Sequence, residues 1–232
     1  MLALIASAAT PSRHLKAVKA PKPVVVDGDL TKDAWKAAPQ ATGFTDYVNG
    51  TLVDDQTIVS VLYDDQFIYI AFDCRDAQPN AVTARETVRD SKFLNSNNGP
   101  SNTEDNVEVD LDPFFTKSYG DLSRFSVNAI GTRSAAIAGG RGSKGDWDAV
   151  SKRTATGWTC EMRIPWASFH YPKASQPTNL GINFTRYITA PESFKSGVPP
   201  APRDSWIAKV FGKASICPKR RSTPSCLCSL TR

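Results

Sequence analysis

TIVSVLYDDQFIYIAFD, residues 57–73, holds two runs of β-branched and aromatic residues around Asp64-Asp65-Gln66. Runs of this length and composition read as strands, and the polar break between them reads as a hairpin turn. The pattern recurs along the chain. NVEVDL, residues 106–111, alternates, so Val107, Val109 and Leu111 are expected to point inward and Glu108 and Asp110 outward. Phe125, Val127 and Ala129 alternate in the next strand, which Gly131 ends, and residues 132–138 are expected to return antiparallel. Further strands are expected at 149–155, 157–163, 180–188 and 206–211. Thr31 is expected to cap a short helix carrying Ala34 and Trp35, which Pro39 ends, and Ile164 to Phe169 reads as a helical turn. Many short strands with little helix predict an all-β fold, an antiparallel β-sandwich of jelly-roll or immunoglobulin-like layering with one or two short helices.

The chain has 232 residues, 41% hydrophobic and 22% charged, with a mean hydropathy of -0.32. That is a globular balance, and no run approaches the roughly 20 apolar residues of a membrane-spanning helix. The net charge of +5 suggests nucleic acid until it is divided. Residues 1–22 carry four basic side chains and no acid, and residues 213–232 carry five and no acid. The body, 23–212, keeps 19 basic and 23 acidic residues, a net of -4. A nucleic-acid-binding fold carries its basic stripe on the folded body, so nucleic acid is excluded as a partner.

The ends differ from the body. MLALIASAAT, residues 1–10, resembles the back half of a secretory signal, and residues 1–20 are expected to form a signal-like or disordered tail. The sandwich is expected over 21–212. Residues 213–232 hold three of the five cysteines, no acid and no apolar periodicity, and read as a basic tail, disordered or out of frame. Export to the periplasm, the cell envelope or the medium follows from the signal-like start. In that setting Cys74 and Cys160 could pair, and two buried free thiols are the alternative. No Cys-x-x-Cys pair or His at ligand spacing points to zinc.

Five motifs occur in order. They are VVDGDL followed by Ala34-Trp35, YDDQFIYIAFDCRD (63–76), DNVEVDLDP (105–113), GWTCEMRIPW (157–166) and GINFTR (181–186). Together they resemble family 9 carbohydrate-binding modules over roughly 25–190. Arg89-Asp90 and FSVNAIG (125–131) resemble a branch of bacterial envelope proteins in which such a module precedes a large C-terminal region, an envelope domain absent from this sequence. The resemblance implies a β-sandwich related to haem-binding domains and non-catalytic binding of polysaccharide or oligosaccharide, associated with glycoside hydrolases and carbohydrate catabolism. It also implies, for some members, sugar held between tryptophans and structural calcium.

A sugar platform needs an exposed aromatic ring with polar groups around it. Trp35, Trp158 and Trp166 lie beside expected strands or helices and read as core. Trp147 lies in the Gly- and charge-rich GSKGDWDAV, residues 142–150, and is expected to be exposed, either as a ligand contact or as a loop anchor. Arg89 and Asp90 sit in the long polar loop 77–103, where Arg89 either donates to sugar hydroxyls or pairs with a neighbour. Asn106 and Glu108 bind hydroxyls or a cation if their face of the strand lines a cleft, and are otherwise its solvent side. Asp64, Asp65 and Asp76 are calcium candidates by residue type, with turn formation as the alternative. No other cofactor is indicated. A hydrolase would need two carboxyls set across a bound sugar, and no spacing here indicates that pair. Two other functions compete with sugar binding. One is a structural or interaction domain of an envelope protein; the other is a haem module, for which Met162 and His170 are the axial candidates.

Overall fold

The computed structural model describes residues 13–46, 51–91, 104–114, 116, 118–140, 146–169, 180–189 and 206–215, the last as backbone alone. The fold is the expected β-sandwich, two mainly antiparallel sheets with one short α-helix. The strands in chain order are β1 (Arg13–Lys16), β2 (Val18–Lys19), β3 (Gln40–Ala41), β4 (Thr45–Asp46), β5 (Thr57–Tyr63), β6 (Phe67–Arg75), β7 (Asn106–Asp112), β8 (Ser123–Asn128), β9 (Arg133–Ala136), β10 (Asp148–Thr154), β11 (Gly157–Pro165), β12 (Gly181–Ile188) and β13 (Trp206–Ser215). The helix, α1, is Asp33–Lys36. One sheet has seven strands in the order β1-β13-β12-β7-β8-β9, with β4 also on β13. The other has six in the order β10-β11-β6-β5-β2, with β3 also on β5.

Alternation places the core. Val107, Val109, Leu111, Phe125, Val127, Ile182 and Phe184 of the larger sheet face Val59, Val61, Ile68, Ile70, Phe72, Trp158, Met162 and Ile164 of the smaller one. The 57–73 hairpin forms as β5 and β6. Asp64 closes it, accepting from Gln66 N, Phe67 N and the Tyr69 hydroxyl, each at 2.7 Å. Asp favours such turns because its carboxylate satisfies nearby backbone N–H groups.

A second, smaller apolar cluster lies outside the six-stranded sheet, where residues 20–38 cover Leu62, Tyr69 and Ala71 with Ala20, Val24, Trp35 and Ala38. Glu161, completely buried on β11, anchors this cover. It accepts from Asp27 N at 2.8 Å, Gly28 N at 2.6 Å, Lys32 Nζ and Trp35 Nε1. The VVDGDL and GWTCEMRIPW motifs are therefore two halves of one contact, 131 residues apart in the chain at their nearest, where the Thr159 hydroxyl donates to the Gly28 carbonyl.

Two local expectations are corrected. Thr31 does not cap the helix: its N–H donates to Asp29 Oδ1 in a turn, and Lys32 takes the cap position without a side-chain bond to the helix's first turn. The core also begins earlier than residue 21. Residues 13–19 form β1 on the larger sheet and β2 on the smaller, with Leu15 and Ala17 in the core, because a strand crossing between sheets buries the residues at its crossing. At the other end β13 runs to Ser215, so the sheet includes three residues expected in the tail. Residues 1–12 and 216–232, on which the signal and tail expectations rest, lie outside the described residues.

Candidate functional site

β7 is the central strand of the seven-stranded sheet, paired with β12 on one side and β8 on the other. All seven of its residues are buried, on both faces. The expectation that Glu108 and Asp110 form a solvent face is thus corrected. Strand parity does turn them away from the core, yet Glu108 and Asp110 are buried on that side, as are Thr185, Ser126 and Ser134 of the neighbouring strands.

The register arranges this outer face in three ranks across the sheet. Asn183, Asp110 and Arg124 form the first, Thr185, Glu108, Ser126 and Ser134 the second, and Tyr187, Asn106 and Asn128 the third. Ser126 donates to Glu108 Oε2 at 2.9 Å, and Asn183 Nδ2 donates to Asp110 Oδ2 at 3.1 Å. Arg124 Nε lies 3.5 Å from Asp110 Oδ1. Asn106 Nδ2 donates to the Glu104 carbonyl at 2.9 Å. The side-chain oxygens of Asn106 and Asn183 accept no hydrogen bond, although both are buried. Burial without a partner is costly to an amide carbonyl, and it marks a place where a donor is missing.

The expected site residues fall in three places. Asn106 and Glu108 lie on this face. Arg89 and Asp90 do not: Asp90, at φ 58°, caps the free edge of β9, donating its N–H to the Arg133 carbonyl and accepting Ala135 N at 3.0 Å. Arg89 lies half-exposed beside it, with Nε 3.6 Å from the Asp90 carboxylate. Trp147 is corrected outright. It is 1% exposed, packed edge-on against Phe125 at 5.2 Å, with the Arg133 guanidinium 5.8 Å from its ring centre. The physical reason is parity. Ala149 of β10 points into the core, and Trp147, two residues earlier, continues the same inward side. A ring in that position is not available for stacking on a sugar. Trp35 and Trp158 are buried as expected, and Trp166 is partly buried with its Nε1 donating to the Asp64 carbonyl at 3.0 Å.

The calcium candidates are not brought together. Asp64 and Asp65 precede β6 and Asp76 follows it, so the full nine-residue strand, about 30 Å, lies between them. Each carboxylate serves its neighbours: Asp64 the hairpin, Asp65 an ion pair with Lys19 at 2.6 Å, Asp76 the buried Arg186 at 2.9 Å. No group of three His, Cys, Asp or Glu among the described residues is placed to hold a metal ion. Met162, one haem candidate, is completely buried in the core, and His170 lies outside the described residues. Cys74 and Cys160 are free and buried, and burial pushes both thiols up, Cys74 to about 12. Beside the Glu161 anchor, an open depression of about 400 Å³ is lined by Gly28, Asp29, Thr31, Asp73, Lys152 and Thr159, none of them an expected site residue.

Reading the residues singly missed Arg124, Ser126, Asn183, Thr185 and Tyr187. The signal for them was present: GINFTRYI carries Asn183, Thr185 and Tyr187 on alternate positions opposite Ile182 and Phe184.

The sequence pattern of the carbohydrate family 9 binding domain-like family matches residues 26–193, most of the chain. The chain belongs to that family. Among solved structures, this family 9 module is similar to a carbohydrate-binding module of family 9 from Caldicellulosiruptor kristjanssonii in complex with cellotriose. The TM-score is 0.63 and the identity 15%, over 93% of this chain and 99% of that one. A family 9 module from the same organism in complex with glucose gives a TM-score of 0.59 at 15% identity, over 91% and 98%. At that identity the likeness establishes the fold. No curated protein matches the module. No helix among the described residues is long and apolar enough to cross a membrane.

Proposed function

We propose that the module binds oligosaccharide or polysaccharide without catalysis, through the outer polar face of the seven-stranded sheet. The observation that carries this reading is the pair of buried amide oxygens, Asn106 Oδ1 and Asn183 Oδ1, left without donors on a face of hydroxyls, amides and carboxylates. Sugar hydroxyls are donors of the required kind, and Tyr187 supplies a half-buried ring on the same face. Glu108 and Asp110 are held as acceptors by Ser126 and Asn183, which suits positioning of hydroxyls. The family membership supports the reading, as do the cellotriose and glucose bound to the two similar structures.

A second reading, a structural domain without a ligand, is favoured by the burial of Trp35, Trp147 and Trp158 and the partial burial of Trp166, which leaves no fully exposed tryptophan among the residues whose side chains are described. Calorimetric titration with cello- and xylo-oligosaccharides separates the two. Binding between about 1 μM and 1 mM, weakened in Asn183→Ala, supports the first. No heat at millimolar sugar from folded protein supports the second.

A further inference from the structure

The open depression beside the Glu161 anchor holds two opposite charges that do not meet. Its floor is one rank across the six-stranded sheet, with Lys152 on β10, Thr159 on β11 and Asp73 on β6 in register. The rank faces outward, since Trp158 and Cys160, on either side of Thr159, point into the core. Its wall is the turn from Gly28 to Thr31, tied down by the Thr159 hydroxyl, which donates to the Gly28 carbonyl at 2.8 Å. The space between is about 400 Å³, at the low end for small-molecule sites. Lys152 is exposed, and its stem lies against Gly28, where a Cβ would stand 2.9 Å from Lys152 Cγ. The ion pairs around the depression join Lys32 to Asp27 and Glu161, and Arg75 to Asp73; none of them includes Lys152. The Asp73 side chain is 32% exposed, and Arg75 Nε stands 3.6 Å from its carboxylate, beyond hydrogen-bond length. The other charged residues of the lining are engaged. The Arg153 guanidinium donates to the Val82 carbonyl at 2.8 Å and the Pro79 carbonyl at 3.4 Å, and Asp29 accepts the Thr31 N–H at 2.9 Å.

The strand of Thr159 stands between the two charges, and two inter-strand spacings put the backbones of Lys152 and Asp73 about 10 Å apart. A molecule that fills the gap needs a carboxylate for the Lys152 ammonium and, close beside it, an ammonium for the Asp73 carboxylate. An α-amino acid has both, its nitrogen and carboxyl carbon being two bonds apart, about 2.5 Å. With a charge-assisted hydrogen bond of about 2.8 Å at each end, it spans about 8 Å. Leu30, half-buried, makes the wall apolar above the rank. We infer that the depression binds a free aliphatic α-amino acid, its carboxylate on Lys152, its ammonium on Asp73 and its side chain against Leu30. This site lies on the outer side of the six-stranded sheet, whereas the polar face of β7 belongs to the other sheet, so it stands or falls independently of sugar binding.

The test is a titration of the whole chain with leucine, N-acetyl-leucine and leucine amide, followed by the NMR shifts of its backbone amides. Leucine should give saturable shifts at Gly28 to Thr31 and at Thr159. N-acetyl-leucine lacks the ammonium and leucine amide lacks the carboxylate, so each should bind about tenfold or more weakly. Glycine keeps both charges and loses the contact with Leu30, and should bind more weakly than leucine. Lys152→Met keeps the stem on Gly28 and Asp73→Asn keeps the shape of the side chain; each should weaken leucine binding by about tenfold or more. The wild-type series stands without the variants, so a variant that fails to fold leaves the test intact. Equal binding of leucine and its two singly charged derivatives overturns the inference, as does the absence of any saturable shift with leucine. Shifts at the same amides with cellotriose and none with leucine overturn it as well, and move the sugar to this depression.

Discussion

Glu161 is a carboxylate with no exposure, yet the backbone N–H groups of Asp27 and Gly28, the Trp35 indole and the Lys32 ammonium all donate to it. A buried charge is tolerable only with such company, and removing one partner strands the rest. Glu161→Ala should cost about 3–5 kcal/mol, read from the urea midpoint, and detach the cover of residues 20–38. The same knot carries a pH signature. Hydrogen bonds from Lys32 and the Asp29 N–H lower the Asp27 carboxyl from 3.8 to about 2. A carboxyl lowered on folding stabilises the protein above its unfolded value and stops doing so as pH falls through its folded value. The contribution of Asp27 should be complete above about pH 4 and lost toward pH 2. Asp27→Asn should flatten acid unfolding across that window, and an unchanged slope would show that other carboxyls set it. Trp147→Ala belongs to the same scale. With its ring in the core against Phe125, the variant should lose about 3–5 kcal/mol of stability, measured by denaturant unfolding. Composition around Trp147 suggested a loop, whereas the parity of β10 decides where the ring points.

The strands themselves were legible because period-two alternation survives in the sequence wherever one face is core. NVEVDL, FSVNA and GWTCEMR all form strands near their expected bounds. What alternation does not report is the environment of the other face. Asn106, Glu108 and Asp110 read as a solvent side, yet all three are buried, in a polar array with the facing residues of β12 and β8. Arg186 is the converse case. Its parity with Phe184 sends a charged side chain to the core side, where it is completely buried and donates to the Arg75 carbonyl, the Asp55 carbonyl at 3.3 Å and Asp76. No one-dimensional pattern carries that closure of the sandwich end, since its partners lie more than 100 residues away. Gly157, by contrast, is legible and explicable. It has φ 141°, and a Cβ there would sit 2.0 Å from the Cys74 carbonyl oxygen across the β6–β11 pair. Gly157→Ala should cost about 3 kcal/mol or more, because both the backbone conformation and the strand spacing resist it. A thermal melt unchanged from wild type would mean that the strands can part locally at little cost.

Both sheets share one core, and the proposed site lies on the outer side of the strands whose inner side is that core. Val107, Val109 and Leu111 interleave with Asn106, Glu108 and Asp110 along β7, so the strand that would hold sugar is also the strand that centres the larger sheet. A ligand there holds the ranks of β12, β7 and β8 in register and is lost when they separate. It should therefore bind the native chain and not the unfolded one, which converts occupancy directly into stability. At a concentration one hundred times the dissociation constant the gain is about 2.7 kcal/mol. For a domain of this size that corresponds to a rise in melting temperature of roughly 5–10 °C. Scanning calorimetry with and without saturating cellotriose should show the shift in wild type and little of it in Asn183→Ala. The control is Trp147→Ala, whose lesion lies in the core. Its melting temperature should start lower, yet cellotriose should raise it by nearly the wild-type increment, because the polar face is left intact. A loss of the increment in Trp147→Ala alone, with Asn183→Ala responding normally, would move the sugar to the edge of the sandwich near β10 and away from the face of β7.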